Sequence, residues 1–268
     1  MQLTQKMMMI LVMTLLLIIS SCNTRSEVTF HLQNDLNLPM NQTTTIILEN
    51  HNGGPANVYS LDTATNTISF PDFPKGTYKV KILNESFNDY EIASLKVRLS
   101  KVTYTAQLTT KVGSVIHWAG QDWQVLEKQS DQVLLITQRI LGQRRFDESS
   151  NIWENSEIRR YLNSDFLNTL SELDQARIVE TQVSTNHQNT LDLVWLLSTE
   201  EARGYFSSTS TRFALNQNGV PAWWWLRSPG EENNATCNVY ADGGIGMSGH
   251  FLDCVNGGVR PALWLSLE

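Results

Sequence analysis

The chain has 268 residues, with 20 basic and 27 acidic side chains and a formal net charge of −7. The acidic residues are scattered, and the balance excludes both the basic footprint that nucleic acid requires and a polybasic membrane-surface patch. The length fits two domains or one large one.

Lys6 is the only charge before an apolar run from Met7 to Ile19, followed by Ser20, Ser21 and Cys22. The run is too short for a comfortable membrane span but suits a signal-peptide core. Ile19-Ser20-Ser21-Cys22 resembles the bacterial lipoprotein box, in which cleavage leaves a lipidated cysteine as the new N-terminus. The resemblance implies a signal peptide over 1–21, lipidation of Cys22, and a membrane-anchored lipoprotein of the cell envelope. Asn23 after the cysteine resembles an outer-membrane or cell-surface destination. With Cys22 modified, Cys237 and Cys254 remain in an oxidising compartment, where a pair is expected to bond.

A polar tether over 22–27 leads into seven short alternating runs rich in β-branched and aromatic residues, beginning with V-T-F-H-L at Val28 and ending with V-T-Y-T-A-Q-L at Leu108. Turn clusters such as Asn52-Gly53-Gly54-Pro55 separate them, so 28–112 is expected to be an all-β sandwich. Ile68 to Val80 resembles the F-x-x-L-P-x-G-x-Y-x-V hairpin of prealbumin-like and carboxypeptidase-regulatory-like sandwich domains. There Gly76 takes the turn, and Tyr78 and Val80 point inward. No catalytic constellation is visible in this part, and His31 and His51 lack metal-ligand spacing.

From 113 to 268 the periodicity changes and an α+β domain is expected. Ile116–Leu126 reads as a hairpin turning at Gly120, and Gln132–Ile136 as a strand. Helices are expected over Glu157–Leu162, capped by Asn155 or Ser156, from Ser171 through Ile178, and from Ser198 through Phe206; the last two open on S-x-x-D and S-x-x-E boxes. Leu193–Leu197 reads as a short apolar strand, and the chain returns to strands after Gly219.

Residues 115–266 resemble a bacterial extracytoplasmic domain of unknown function. The resemblance rests on four blocks: W-x-V-L at Trp123–Leu126, W-E-x-S-x-I-R-x-Y-L-N-x-x-F at Trp153–Phe166, W-W-L-R-S-P-G at Trp224–Gly230, and G-V-R-P-A-L-W-L at Gly258–Leu265. Its layout is similar to C-type-lectin-like domains, including the formylglycine-generating branch. That likeness implies a late disulfide, Cys237–Cys254, tying the loop region. The cysteines of the formylglycine branch sit closer in sequence.

Candidate ligand contacts cluster in and beside the 231–254 segment: Asn233, Asn234, Asn238, Tyr240, Asp242, Ser248, His250 and Asp253, with Trp223 and Trp225 for stacking on sugar rings. Alternation on a strand sends Trp224 to one side and its neighbours to the other, so Trp224 is assigned to the core. Arg227 and Arg260 read as buried, paired arginines that fix strand geometry. Gly244-Ile-Gly-Met-Ser-Gly249 matches G-x-G-x-x-G literally, but no helix and strand can follow it, so no dinucleotide site is assigned. His117, His187 and His250 show no paired spacing. Neither a catalytic set nor a metal or other cofactor is assigned, and the calcium-and-sugar signature of sugar-binding C-type lectins is missing.

The expected function is a lipid-anchored envelope protein presenting a lectin-like domain to a glycan or protein ligand on a β-sandwich spacer. Two alternatives are an enzyme of the formylglycine-like branch and a structural or assembly subunit.

Overall fold

A computed structural model describes residues 25–38, 43–61, 66–99 and 101–267. The lipoprotein box and Cys22 lie outside these residues. The described chain is mostly β-sheet and separates into two compact units, one extending to Leu108 and the other comprising Asp35–Leu38 and Thr109 onward.

The first unit contains β1 (Arg25–Asn34), β2 (Thr44–Asn50), β3 (Asn57–Leu61), β4 (Thr67–Pro74), β5 (Gly76–Asn84), β6 (Tyr90–Val97) and β7 (Lys101–Leu108). They form a three-stranded sheet, β4-β1-β7, and a four-stranded sheet, β3-β2-β5-β6. β1 runs antiparallel to β4 and parallel to β7. Alternate residues such as Phe30, Leu32, Ile46, Leu48, Val80 and Ile82 point into one apolar cluster, the period-2 burial of a small sandwich. β1 begins at Arg25, inside the segment expected to be a tether.

The Ile68–Val80 motif is not a hairpin. β4 pairs with β1, whereas β5 pairs with β2 and β6, so the chain changes sheets at Lys75. Tyr78 and Val80 are buried. Gly76 is not a left-handed turn residue; a Cβ there would meet the Tyr78 ring at 3.2 Å. The Tyr78 hydroxyl donates to the Pro74 carbonyl at 3.0 Å and fastens the corner.

The second unit opens with β8 (Val115–Trp118), β9 (Gln121–Lys128), β10 (Gln132–Thr137) and β11 (Gly142–Gln143). Ala119 and Gly120 both have positive φ, 50° and 74°, as a tight two-residue hairpin requires. Next come α1 (Glu157–Tyr161), α2 (Glu172–Gln175), β12 (Ile178–Val179), β13 (Thr181–Val183), β14 (Thr190–Asp192), α3 (Thr199–Tyr205) and α4 (Thr209–Arg212). The chain ends with β15 (Ala214–Leu215), β16 (Pro221–Ala222), β17 (Trp224–Pro229), β18 (Ala235–Val239), β19 (Ile245–Phe251), β20 (Gly258–Val259) and β21 (Ala262–Ser266). Two five-stranded sheets result, β12-β21-β10-β9-β8 and β11-β20-β17-β18-β19.

The helices are shorter than the sequence suggests. α2 stops at Gln175 because Ile178 pairs with Leu265 in the sheet. Of the apolar run Leu193–Leu197, only Trp195 makes a bridge, to Ala262. The run is held instead by Asn163, whose amide oxygen accepts from the Leu193 N–H at 2.9 Å while its nitrogen donates to the Val194 carbonyl at 2.8 Å.

The block from Trp153 to Phe166 is explained by one buried carboxylate. Asp192 accepts from Trp153 Nε1 at 2.9 Å, Arg159 Nε at 2.6 Å and Thr190 Oγ1 at 2.7 Å, with no side-chain exposure. Ser156 caps α1 through the Arg159 N–H, and Ile158, Leu162 and Phe166 enter the core. The Trp153–Phe166 block is therefore a folding device.

Candidate functional site: a polar cleft floored by Arg227

A polar cleft of about 440 Å³ lies in the second unit. Ser184–His187 form one wall, Ser198–Glu201 a second, and Arg227–Pro229 the floor; Asn151, Trp153, Cys237 and Met247 complete it. Two elements create it: α3, which starts at the cleft, and β17, which ends there.

Arg227 is only 4% exposed. Its two terminal nitrogens meet the two Glu201 oxygens at 2.5 and 2.7 Å, and further donors reach the Leu196 carbonyl at 2.8 Å and the Ser184 carbonyl at 3.2 Å. Glu201 is also the third residue of α3, and its carboxylate accepts from the Ser198 N–H at 2.9 Å while Ser198 Oγ accepts from the Glu201 N–H. One carboxylate thus closes the capping box and neutralises the buried guanidinium. Ser228 Oγ accepts from the Thr199 N–H at 3.0 Å and ties the second wall to the floor. The cleft consequently offers hydroxyls, amides and carbonyls over an internally compensated charge. Asn186, His187 and Glu200 stand exposed on its rim.

Burial pushes the Cys237 thiol above the ordinary thiol range. Its sulfur faces the carbonyl oxygens of Pro229 at 3.1 Å and Met247 at 3.3 Å, acceptors that favour the protonated form. A nucleophilic cysteine needs the opposite shift. Among the described residues no group of three or more His, Cys, Asp or Glu side chains is arranged to hold a metal ion.

Residues 130–267 match the sequence profile of a family described as a domain of unknown function, DUF6273. The chain belongs to that family. The DUF6273 match lies within the second unit and includes the whole cleft. No curated protein matches the chain. Solved structures with partial likeness include an N-terminal interface mutant of a type II cohesin–X–dockerin complex from Acetivibrio cellulolyticus, 18% identical over 34% of this chain and 61% of that one, TM-score 0.25. Another is a candidate carbohydrate-binding protein from Bacteroides uniformis, 13% identical over 45% and 57% of the two chains, TM-score 0.29. The chain thus spans about three fifths of the length of these solved chains.

The residues expected to contact a ligand do not form one site in the DUF6273 domain. Asn233, Asn234, Asp242, Ser248 and Asp253 are exposed, and Tyr240 is 46% exposed. Asp242 Oδ1 accepts from the Gly244 N–H at 2.8 Å, a turn-forming role. Asn238 is fully buried, against the expectation of a ligand contact, and neither amide atom has a protein partner. Trp225 is also fully buried; its Nε1 donates to the Arg144 carbonyl at 2.8 Å, and Gly257 lies so close that a Cβ would overlap the indole. Both faces of β17 are therefore covered, and strand alternation leaves no surface indole at 225. Trp223 is half-buried, with one face stacked on His250 at 4.3 Å between centroids and 4° between planes.

The cysteines are corrected too: Cys237 and Cys254 are both free thiols. Cys237 points from β18 toward the Pro229 and Met247 carbonyls, while Cys254 sits in the turn after β19, its N–H on the Phe251 carbonyl. A thiol titration of denatured, unreduced protein lacking residues 1–24 should return both; a bridge would return neither. Arg260 is buried as expected, but among the described residues no carboxylate pairs with it. It donates to the Thr137 carbonyl at 2.8 Å and lies over Phe206 and Trp224, and burial pushes it down to about 9.

The glycine-rich run owes its residues to packing. A Cβ at Gly246 would strike Asn238 and Tyr240, and Gly249 combines φ of 85° with backbone contact to Thr236. The cleft residues themselves were missed in the sequence. Two signals pointed toward them, the S-x-x-E box and the arginine of W-W-L-R, but nothing local joins Glu201 to Arg227 across 26 positions.

Proposed function

We propose that the protein is a lipid-anchored envelope protein whose second unit, of C-type-lectin-like type, binds a neutral glycan in the Arg227 cleft. The observation that carries the binding reading is the neutralised floor: with Arg227 occupied by Glu201, the cleft is suited to a polyhydroxylated ligand rather than an anion. Serine and threonine hydroxyls, the amides of Asn151 and Asn186, and the apolar Pro229 and Met247 match the mixed polar and C–H surface of a sugar. The protonated, buried Cys237 favours binding over cysteine chemistry. Membrane anchoring rests on the Ile19–Cys22 box, and the lectin-like analogy on the first and last strands of the unit, β8 and β21, sharing one sheet.

The test is a glycan-array screen of the protein from residue 25 onward, alongside Asn186→Ala and Glu200→Ala. Both side chains are exposed, so folding should be unaffected while a glycan signal falls by about tenfold, the equivalent of one or two lost hydrogen bonds. A signal unchanged in both variants would place the ligand elsewhere.

A protein ligand is the second reading. It is favoured by the exposed side chains of Tyr240, Met247, Phe251 and Val255, which give the 240–255 segment the aromatic and apolar content of interface cores.

A further inference from the structure

A second cleft in the DUF6273 domain, about 500 Å³, is lined by Arg144, Arg145, Glu157, Arg160, Tyr161 and Asp165 among others. We infer that it binds the carboxylate of an acidic sugar, with Arg144 as the recognition residue. The inference does not depend on the Arg227 cleft.

Arg144 is held ready for a ligand. Its backbone N–H donates to the Gly257 carbonyl at 2.8 Å, and its carbonyl accepts from Trp225 Nε1 at 2.8 Å, so the residue is pinned at both ends. The guanidinium lies 3.6 Å from the centroid of the Tyr161 ring. Stacking fixes the plane of the group and leaves its N–H edges directed sideways, the fork that matches a carboxylate.

The neighbouring charges distinguish Arg144 from the other cations. Arg145 is committed to Glu148 at 2.7 Å and Glu157 at 2.8 Å. Arg160 gives one donor to the Asn155 carbonyl. No carboxylate lies within 4.0 Å of Arg144 among the described residues, although the chain carries an excess of acidic side chains. The charged side chains lining the cleft, Arg144, Arg145 and Arg160 against Glu157 and Asp165, leave one surplus positive charge, which Glu148 offsets from the margin through Arg145. With the surrounding charges balanced and Arg144 as the cation without a carboxylate partner among the described residues, the cleft suits a singly charged carboxylate better than a doubly charged phosphate. Asp165, Ser164 and Gln143 then supply acceptors and donors for sugar hydroxyls. Because the net charge repels anions over most of the surface, saturable anion binding must arise locally.

The experiment is a titration of the full-length protein at low salt with glucuronate, glucose and inorganic phosphate, followed by calorimetry and by amide shifts at 142–165. Glucuronate should bind saturably with shifts centred on Arg144 and Tyr161, and glucose should not shift these residues. Arg144→Ala should weaken glucuronate by about tenfold or more, and Arg144→Lys should also fail to restore binding because an ammonium lacks the fork. Arg144→Lys preserves the packed stem, so a loss in both variants with unchanged unfolding midpoints separates recognition from folding. Asn186→Ala, in the other cleft, should leave glucuronate binding intact. Equal or tighter phosphate binding, glucose shifting the same amides, glucuronate binding indifferent to Arg144, or no glucuronate binding at all would overturn the assignment.

Discussion

Arg227→Met should destabilise the second unit by about 3–5 kcal/mol, the cost of leaving one member of a buried ion pair without its partner. Glu201 would lose both of its guanidinium contacts, and the Leu196 and Ser184 carbonyls would lose donors in the same step. Glu201→Gln should cost less. Glutamine can still accept from the Ser198 N–H and preserve the capping box, but Arg227 would then be a buried charge held only by neutral acceptors. Urea unfolding of the two single variants and the double variant gives the coupling energy directly. A shift of under 1 kcal/mol for Arg227→Met would mean that the pair is not the floor on which the cleft is built.

Arg159→Ala should have a comparable effect, about 3 kcal/mol, because it strips from a fully buried carboxylate the one cation paired with it among the described residues. Asp192 would keep Trp153 Nε1 and Thr190 Oγ1, but two neutral or weakly polar donors do not compensate a charge in that setting. Trp153→Phe, which removes the indole N–H donor and shrinks the buried ring, should cost about 1.5–3 kcal/mol. Thermal unfolding of the three proteins should therefore order them wild type, Trp153→Phe, Arg159→Ala. The reverse order would show that tryptophan packing, rather than the carboxylate, holds the Trp153–Phe166 block in place.

Local signals in the sequence were dependable and long-range ones were not. Alternation marked all seven strands of the first unit, and the S-x-x-E box placed the start of α3 because both partners of a capping box lie within one turn. The change of sheet at Lys75 was invisible, since Ile68–Val80 has the same periodicity whether or not its halves pair. Trp225 illustrates the limit most clearly. Strand alternation assigns it to the face opposite Trp224, and it is there, but Gly257 and Phe146 cover that face as well. The 231–254 segment has the polar composition of a binding loop, yet most of its distinctive residues serve turns and close strand contacts. The cleft at Arg227 draws on six separated stretches of chain, and pairwise partners such as Glu201 and Arg227 become legible only once β17 is packed beside α3.

The central claim is that the Arg227 cleft, and not the 231–254 loops, meets the neutral glycan. Its most direct test is amide chemical-shift mapping of the protein titrated with a pool of neutral oligosaccharides. The prediction is saturable shifts confined to Asn151, Ser184–His187, Thr199, Glu200 and Ser228. Shifts confined to 231–245, with the cleft silent at saturating oligosaccharide, would contradict it.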